Sequence, residues 1–203
     1  PDSPRADVDK AVKAAAAAFE EWRSTPVLSR AQYMFRLKAA IEARFEEFTA
    51  MVVKENGKTK DEARGEVRRG IESIDFAAGV PALMRGYKTE DISTGIDETA
   101  ERQPLGVYAA ITPFNFPAMV PLWFLPTAIT TGNTFVLKPS PQTPISMQLL
   151  FEVLDALDLP EGVVNLVQGG KEASIAVMEH PDIIGVSFVG STPVAKIVYE
   201  TCA

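Results

Sequence analysis

Three patterns of hydrophobic and polar positions follow one another along the chain. Up to about residue 88, apolar residues recur every three or four positions. Val8, Val12, Ala15, Phe19 and Trp22 make one such stripe, the signature of a helix with one buried face. Asp7 stands where a cap for this helix belongs, and the run Ala14–Ala18 favours helix. Pro26 breaks the pattern. Ser29 with Gln32 has the form of a capping box and predicts a second helix, with Tyr33, Leu37, Ile41, Phe45 and Phe48 on one face. Asn56-Gly57 reads as a helix stop and Thr59 with Glu62 as a new start. A further helix runs through Val67, Ile71, Ile74 and Phe76 toward Gly79-Val80-Pro81. Residues 1–88 are read as an all-helical layer whose work is packing.

Residues 89–104 are polar, with Gly95 as a turn point and Ile92 and Ile96 as the few apolar positions. They predict a two-stranded arm. An isolated ribbon is marginal in water, so the arm is expected to lie on another subunit. From 105 to 203 the period changes again. Four short apolar runs, LGVYAAI, NTFVLKP, VVNLVQG and IIGVSFVG, alternate with helical stretches at Met119–Thr131, Pro144–Leu157, Lys171–Glu179 and from Thr192 onward. Continuous apolar strands separated by helices mark a parallel sheet buried on both faces. Right-handed crossovers then give a doubly wound, Rossmann-like α/β fold. Ligands in such folds bind beyond the carboxyl ends of the strands.

Composition narrows the function classes. The chain has 203 residues, 46% hydrophobic and 23% charged, with net charge −7. No Lys/Arg cluster interleaves with aromatics, which argues against a nucleic-acid partner. No apolar run approaches the roughly 18 residues of a membrane span, and no signal segment opens the chain. One cysteine, Cys202, and one histidine, His180, leave no disulfide framework. They also leave almost no room for a His/Cys metal site or a Ser-His-Asp hydrolase. The chain starts without Met and ends within a predicted helix, as part of a longer protein would.

Candidate chemistry sits after each strand. After the first comes Thr112-Pro113-Phe114-Asn115-Phe116-Pro117. The Asn115 amide has two N–H donors. In a dry site they would stabilise an oxyanion, whereas in a plain turn the side chain would bond its own backbone. After the second comes Lys138-Pro139-Ser140-Pro141-Gln142. A lysine there buries its stem and holds its ammonium at the sheet edge, within reach of a ribose hydroxyl or a phosphate. After the third, Gln168-Gly169-Gly170-Lys171 allows close backbone approach. After the fourth, Gly190-Ser191-Thr192-Pro193 makes a helix start, with Ser191 or Thr192 as cap, suited to a pyrophosphate. Neither common glycine-rich phosphate motif occurs.

Taken together, PFNFP (113–117), GNTFVLKPS (132–140), SFVGST (187–192) and the run ENGKT…EA…GEV (55–67) resemble the aldehyde dehydrogenase superfamily. The Phe-Asn-Phe variant and its surroundings are most similar to the CoA-acylating branch that acts on methylmalonate or malonate semialdehyde. The resemblance spans nearly the whole chain. It implies that Asn115 helps hold a thiohemiacetal oxyanion and that Thr112 and Phe114 line the cofactor channel near the nicotinamide. It implies that Lys138 binds the adenosine ribose, and that Ser191, beside Gly190, meets the pyrophosphate. It makes the polar arm an oligomerisation element of a dimer or tetramer. It implies NAD as cofactor, CoA as co-substrate, a small aldehyde as substrate, and a cytoplasmic or mitochondrial-matrix location. Pro141 and Gln142 replace the Glu that many relatives use on the ribose, and Ser140 is adjacent, so NADP stays open. Ala195 stands where many relatives have glycine. The superfamily's nucleophilic cysteine lies beyond this stretch, and Cys202 is not that residue, so the chain alone is expected to be inactive. A hydrolytic relative acting on another aldehyde and a non-catalytic nucleotide-binding fragment are the alternatives.

Overall fold

In the computed structural model, which describes residues 2–203, the first part of the chain forms α1 (Arg5–Ser24), α2 (Val27–Ala43), α3 (Phe45–Asn56), α4 (Lys60–Ala78) and the single turn α5 (Val80–Leu83). A hairpin of β1 (Tyr87–Ser93) and β2 (Ile96–Ala100) follows. The remainder alternates: β3 (Val107–Ile111), α6 (Met119–Thr130), β4 (Thr134–Lys138), α7 (Ile145–Asp155), β5 (Val164–Leu166), α8 (Lys171–Met178), β6 (Ile183–Phe188) and α9 (Thr192–Cys202).

β3 to β6 form one parallel sheet in the order β5-β4-β3-β6. The chain steps outward from β3 to β4 to β5, then crosses back to place β6 on the far side of β3. The pleat sends alternate side chains to opposite faces. Ala110, Phe135 and Leu137 join a core with α2, α3, α4, α6 and α7. Val107, Ala109, Ile111 and Val136 join a second core with Val8, Val12 and Ala15 of α1 and Ala173, Ala176 and Val177 of α8. This is the expected doubly wound α/β fold. The strand order reverses between β3 and β6, where such sheets open a crevice at their carboxyl ends. Ile111 is in register with both Lys138 and Phe188, so the loops after β3, β4 and β6 leave the sheet at one level.

Several local expectations change. α1 begins at Arg5 behind Pro4, so Asp7 lies in the first turn rather than at the cap, where its charge still favours the helix dipole. α2 begins directly after Pro26 and no side chain caps it; the fixed φ of proline lets the helix open at Val27, two residues before Ser29. The stripe drawn through Phe45 and Phe48 belongs to two helices, because Arg44 (φ −107°, ψ 19°) breaks the run. Phe76 is 60% exposed. Gly57 does stop α3, at φ 82°, and Thr59 with Glu62 forms a complete capping box. The helices before residue 88 do not make one layer, since α1 and the α2–α4 group serve opposite faces of the sheet. β3 and β4 are buried as continuous apolar runs should be, but the outer strands β5 and β6 are only half-buried. The hairpin spans 87–100 rather than 89–104; Gly95 turns it at φ 73°, and Ile92 and Ile96 are exposed.

Candidate functional site

The loop after β3 carries the isolated amide. Asn115 is exposed, and its side chain makes no hydrogen bond among the described residues. A turn asparagine folded onto its own backbone is therefore not what is seen. The backbone around it is held firmly from the α3–α4 region. Asn56 Nδ2 donates to the Phe114 carbonyl at 2.7 Å. Lys58 Nζ donates to the Asn115 carbonyl at 2.6 Å and pairs with Glu66 at 2.5 Å. The same ammonium lies 3.9 Å from the centre of the Phe116 ring. Glu66, whose side chain is fully buried, accepts from the Ala118 and Met119 N–H groups at 2.8 and 3.2 Å, at the amino end of α6. Thr112 is buried beside this loop with its hydroxyl unpartnered, and its N–H is bonded to the Lys138 carbonyl at 3.1 Å. Phe114 is half exposed.

Lys138 ends β4. It is 3% exposed, and its Nζ donates to the Gly169 carbonyl at 2.9 Å, so the loop after β5 is its anchor. Burial pushes the ammonium down to about 8, with Asp2 opposing the shift. Between about 8 and the ordinary 10.5 the unfolded chain holds more protons than the folded one. The cost of burying the charge is therefore full below about 8 and is relieved as pH rises toward 10.5. Stability should rise by about 3 kcal/mol between pH 7 and 10.5, and Lys138→Met should flatten the rise. Urea midpoints taken from pH 7 to 10.5 on both proteins check this; parallel curves would contradict it.

Ser140 is buried, and its Oγ accepts from the Gln142 N–H at 3.2 Å. Its oxygen helps shape the loop by accepting this bond, and its O–H donor has no partner among the described residues. Pro141 and Gln142 are exposed. Pro141, Gln168 and Gly169 line a cavity of about 280 Å³ with Asp2, Pro144 and Gln148. Among the described residues, four of the five buried side-chain oxygens without a partner lie near this sheet edge: Thr112 Oγ1, Thr143 Oγ1, Ser146 Oγ and Gln168 Oε1. Such concentration is unusual for a plain packing surface.

After β6, Ser191 takes the N-cap position of α9, but its side chain makes no cap bond and is exposed. Its hydroxyl and the helix amides are open to an anion. Gly190 packs against the Phe188 ring: a Cβ there would come within 2.3 Å of the ring tip, so the ring would have to move aside. Cys202 is exposed, and desolvation raises the pKa of its thiol, the opposite of what a nucleophile needs.

The structure thus brings Thr112, Phe114, Asn115, Lys138, Gly190 and Ser191 to one edge of the sheet, with Pro141 and Gln142 on the adjoining loop. Asn56, Lys58 and Glu66 were not singled out from sequence, because their contacts to the loop span more than fifty residues. One signal was present. Glu66 sits on the buried stripe of α4 with Ala63, Val67 and Gly70, and a carboxylate in such a stripe calls for a partner.

No helix is long and apolar enough to cross a membrane, and no cluster of three or more potential metal ligands exists, among the described residues. The chain is 52% identical over 203 residues to malonate-semialdehyde dehydrogenase 2 of Geobacillus thermodenitrificans strain NG80-2, covering all of this chain and 42% of that one. The crystal structure of the methylmalonate-semialdehyde dehydrogenase DddC from Oceanimonas doudoroffii superposes with a TM-score of 0.96 at 45% identity, over 99% of this chain and 41% of that one. A Sinorhizobium meliloti 1021 protein crystallised with NAD gives 0.95 at 42% identity, over 100% and 41%. The chain therefore spans about two-fifths of the length of these relatives. Residues 1–203 match the Aldehyde dehydrogenase family throughout, and the chain belongs to that family.

Proposed function

We propose that this chain is the cofactor-holding portion of an NAD-dependent dehydrogenase that oxidises malonate or methylmalonate semialdehyde and passes the acyl group to CoA. The observation that carries the reading is Asn115: an exposed amide with both N–H donors uncommitted, on a backbone pinned by Asn56 and Lys58, at the edge where the strand order reverses. The substrate class comes from the relatives, whose names specify malonate or methylmalonate semialdehyde.

The residues present fit a dinucleotide. The uncapped helix start at Ser191 suits its pyrophosphate, Lys138 suits a ribose hydroxyl, and the unpartnered Thr112 hydroxyl lies toward the β3 loop. NAD is the cofactor of this reading because relatives were crystallised with it; Pro141 and Gln142 offer no carboxylate that would repel the 2′-phosphate of NADP. NAD supplies the hydride acceptor when bound. The nucleophilic cysteine belongs to sequence outside this chain. Its thiolate adds to the aldehyde carbon, and the carbonyl oxygen becomes an oxyanion. The Asn115 amide donates to that oxygen as charge develops on it. After oxidation the acyl group is a thioester, which the CoA thiol takes over. In the same reading 105–203 is the dinucleotide-binding part and the preceding helices support it. The exposed hairpin of β1 and β2 (87–100) joins copies into a dimer or tetramer, and the enzyme is cytoplasmic.

The enzyme that carries this chain together with its catalytic cysteine should reduce NAD when given malonate semialdehyde and CoA, with release of the acyl-CoA. Absorbance at the NADH band and chromatography of the thioester check both products. Normal turnover without CoA would make the enzyme hydrolytic. No aldehyde-dependent reduction at all would remove the reading.

A further inference from the structure

We infer that Lys58 and Glu66 act as positioning residues for Asn115, fixing the direction of its amide by clamping the loop between β3 and α6 from both ends. This rests on the aldehyde-oxidising reading of Asn115. The geometry is specific. One ammonium binds the carbonyl of residue 115 itself, at 2.6 Å, and covers the ring of residue 116 at 3.9 Å. One carboxylate divides its two oxygens. Oε2 holds Lys58 at 2.5 Å, while Oε1 receives the N–H groups of residues 118 and 119. The chain from Asn115 to Met119 is thus bridged end to end by a single ion pair, four residues apart along the loop.

Burial makes the clamp stiff. The Glu66 side chain is fully buried and that of Lys58 is 16% exposed, so the pair is little screened by water. Breaking a pair this buried strands the remaining charge. The Asn115 side chain has no bond of its own to fix it. Its direction is inherited from the backbone, and the backbone is set by Lys58 and Glu66. An oxyanion donor works only if it is aimed before charge appears, and an ångström of displacement can cost two orders of magnitude in rate. A clamp of this kind should therefore show in kcat and not in cofactor binding.

The test uses Lys58→Met, Lys58→Arg and Glu66→Gln in the enzyme that carries its catalytic cysteine, each alone and with Asn115→Ala. Lys58→Met should lower kcat about tenfold while the Kd for NAD stays within about twofold. Lys58→Arg should recover part of the loss, and Glu66→Gln should resemble Lys58→Met. In the Asn115→Ala background Lys58→Met should add almost nothing, because the group it aims is gone. Equal losses in both backgrounds, or an unchanged kcat, would overturn the inference. Amide exchange over residues 114–119 gives an arm independent of activity: faster exchange in Lys58→Met supports the clamp, and unchanged protection refutes it. If Asn115→Ala itself leaves turnover intact, it is the aldehyde-oxidising reading that fails, and the exchange result still decides whether Lys58 holds the loop.

Discussion

Replacing Asn115 by alanine should lower kcat/KM for aldehyde oxidation a hundredfold or more, at about 3 kcal/mol of lost transition-state stabilisation, with thermal stability unchanged. Both halves of the expectation follow from the same facts. The side chain is exposed and makes no hydrogen bond in the fold, so truncating it removes no structural contact. What it removes is a pair of donors at the sheet edge where charge would develop on the substrate oxygen. Asn115→Asp is the sharper variant. It keeps size and shape but presents a carboxylate to a forming oxyanion, and should fall at least as far as alanine. Steady-state kinetics with the aldehyde, beside calorimetric NAD affinity and melting temperature, separate the outcomes. A loss below about threefold, or a loss accompanied by a lower melting temperature, would return Asn115 to the role of an ordinary turn residue.

How much of this was legible before the structure depends on the range of the interactions. The central strands declared themselves, because burial on both faces demands unbroken apolar runs, and β3 and β4 have them. The candidate loops were legible for the same reason: once the strands are placed, whatever follows them lies at the ligand-binding edge. Local hydrogen-bond chemistry was mixed. Thr59 and Glu62 formed the box their spacing predicts, but Ser29 and Gln32 did not, because Pro26 starts the helix earlier. Phe76 looked like core by its period and is exposed, since period fixes a face but not what covers it. Ser140, beside Lys138, also accepts from the Gln142 amide, a local turn contact that its place in the sequence does not announce. The clamp on Asn115 was not legible. Lys58 and Glu66 reach the loop only through tertiary packing of α4 against α6, and no local pattern encodes that contact.

Arg30 is the same lesson at the opposite end of the sheet, and its loss should be the largest effect on stability. It is 3% exposed, lies within α2 and has no carboxylate partner among the described residues. All its acceptors are carbonyls. Nε donates to Thr130 at 2.9 Å. Nη1 donates to Trp22 at 3.4 Å, to Arg23 at 3.2 Å and to Thr25. These carbonyls lie at the carboxyl ends of α1 and α6, where helix-internal donors run out; that of Trp22 also accepts the Thr25 N–H at 3.1 Å, and the negative ends of the two dipoles meet there. The charge is thus neutralised by helix ends rather than by an acid, and burial still pulls its pKa below the ordinary value. Trp22 Nε1 adds a bond to the Ile129 carbonyl at 2.9 Å at the same junction. Arg30→Ala removes a donor that joins both helix ends and takes this partner from the carbonyls of Thr130, Arg23 and Thr25. The expected loss is about 3 kcal/mol, a drop of about 10 °C in Tm for a domain of this size. Arg30→Met should lose less, because it keeps the packed stem. Arg30→Lys should fall between the two, since a point charge cannot fork across carbonyls from two helices. Arg44, whose guanidinium pairs with Glu47 near the surface, is the control and should matter little when removed. Urea unfolding of the four variants decides it. If Arg30→Ala unfolds with Arg44→Ala, the two helix ends are held by apolar packing alone and the guanidinium is a passenger.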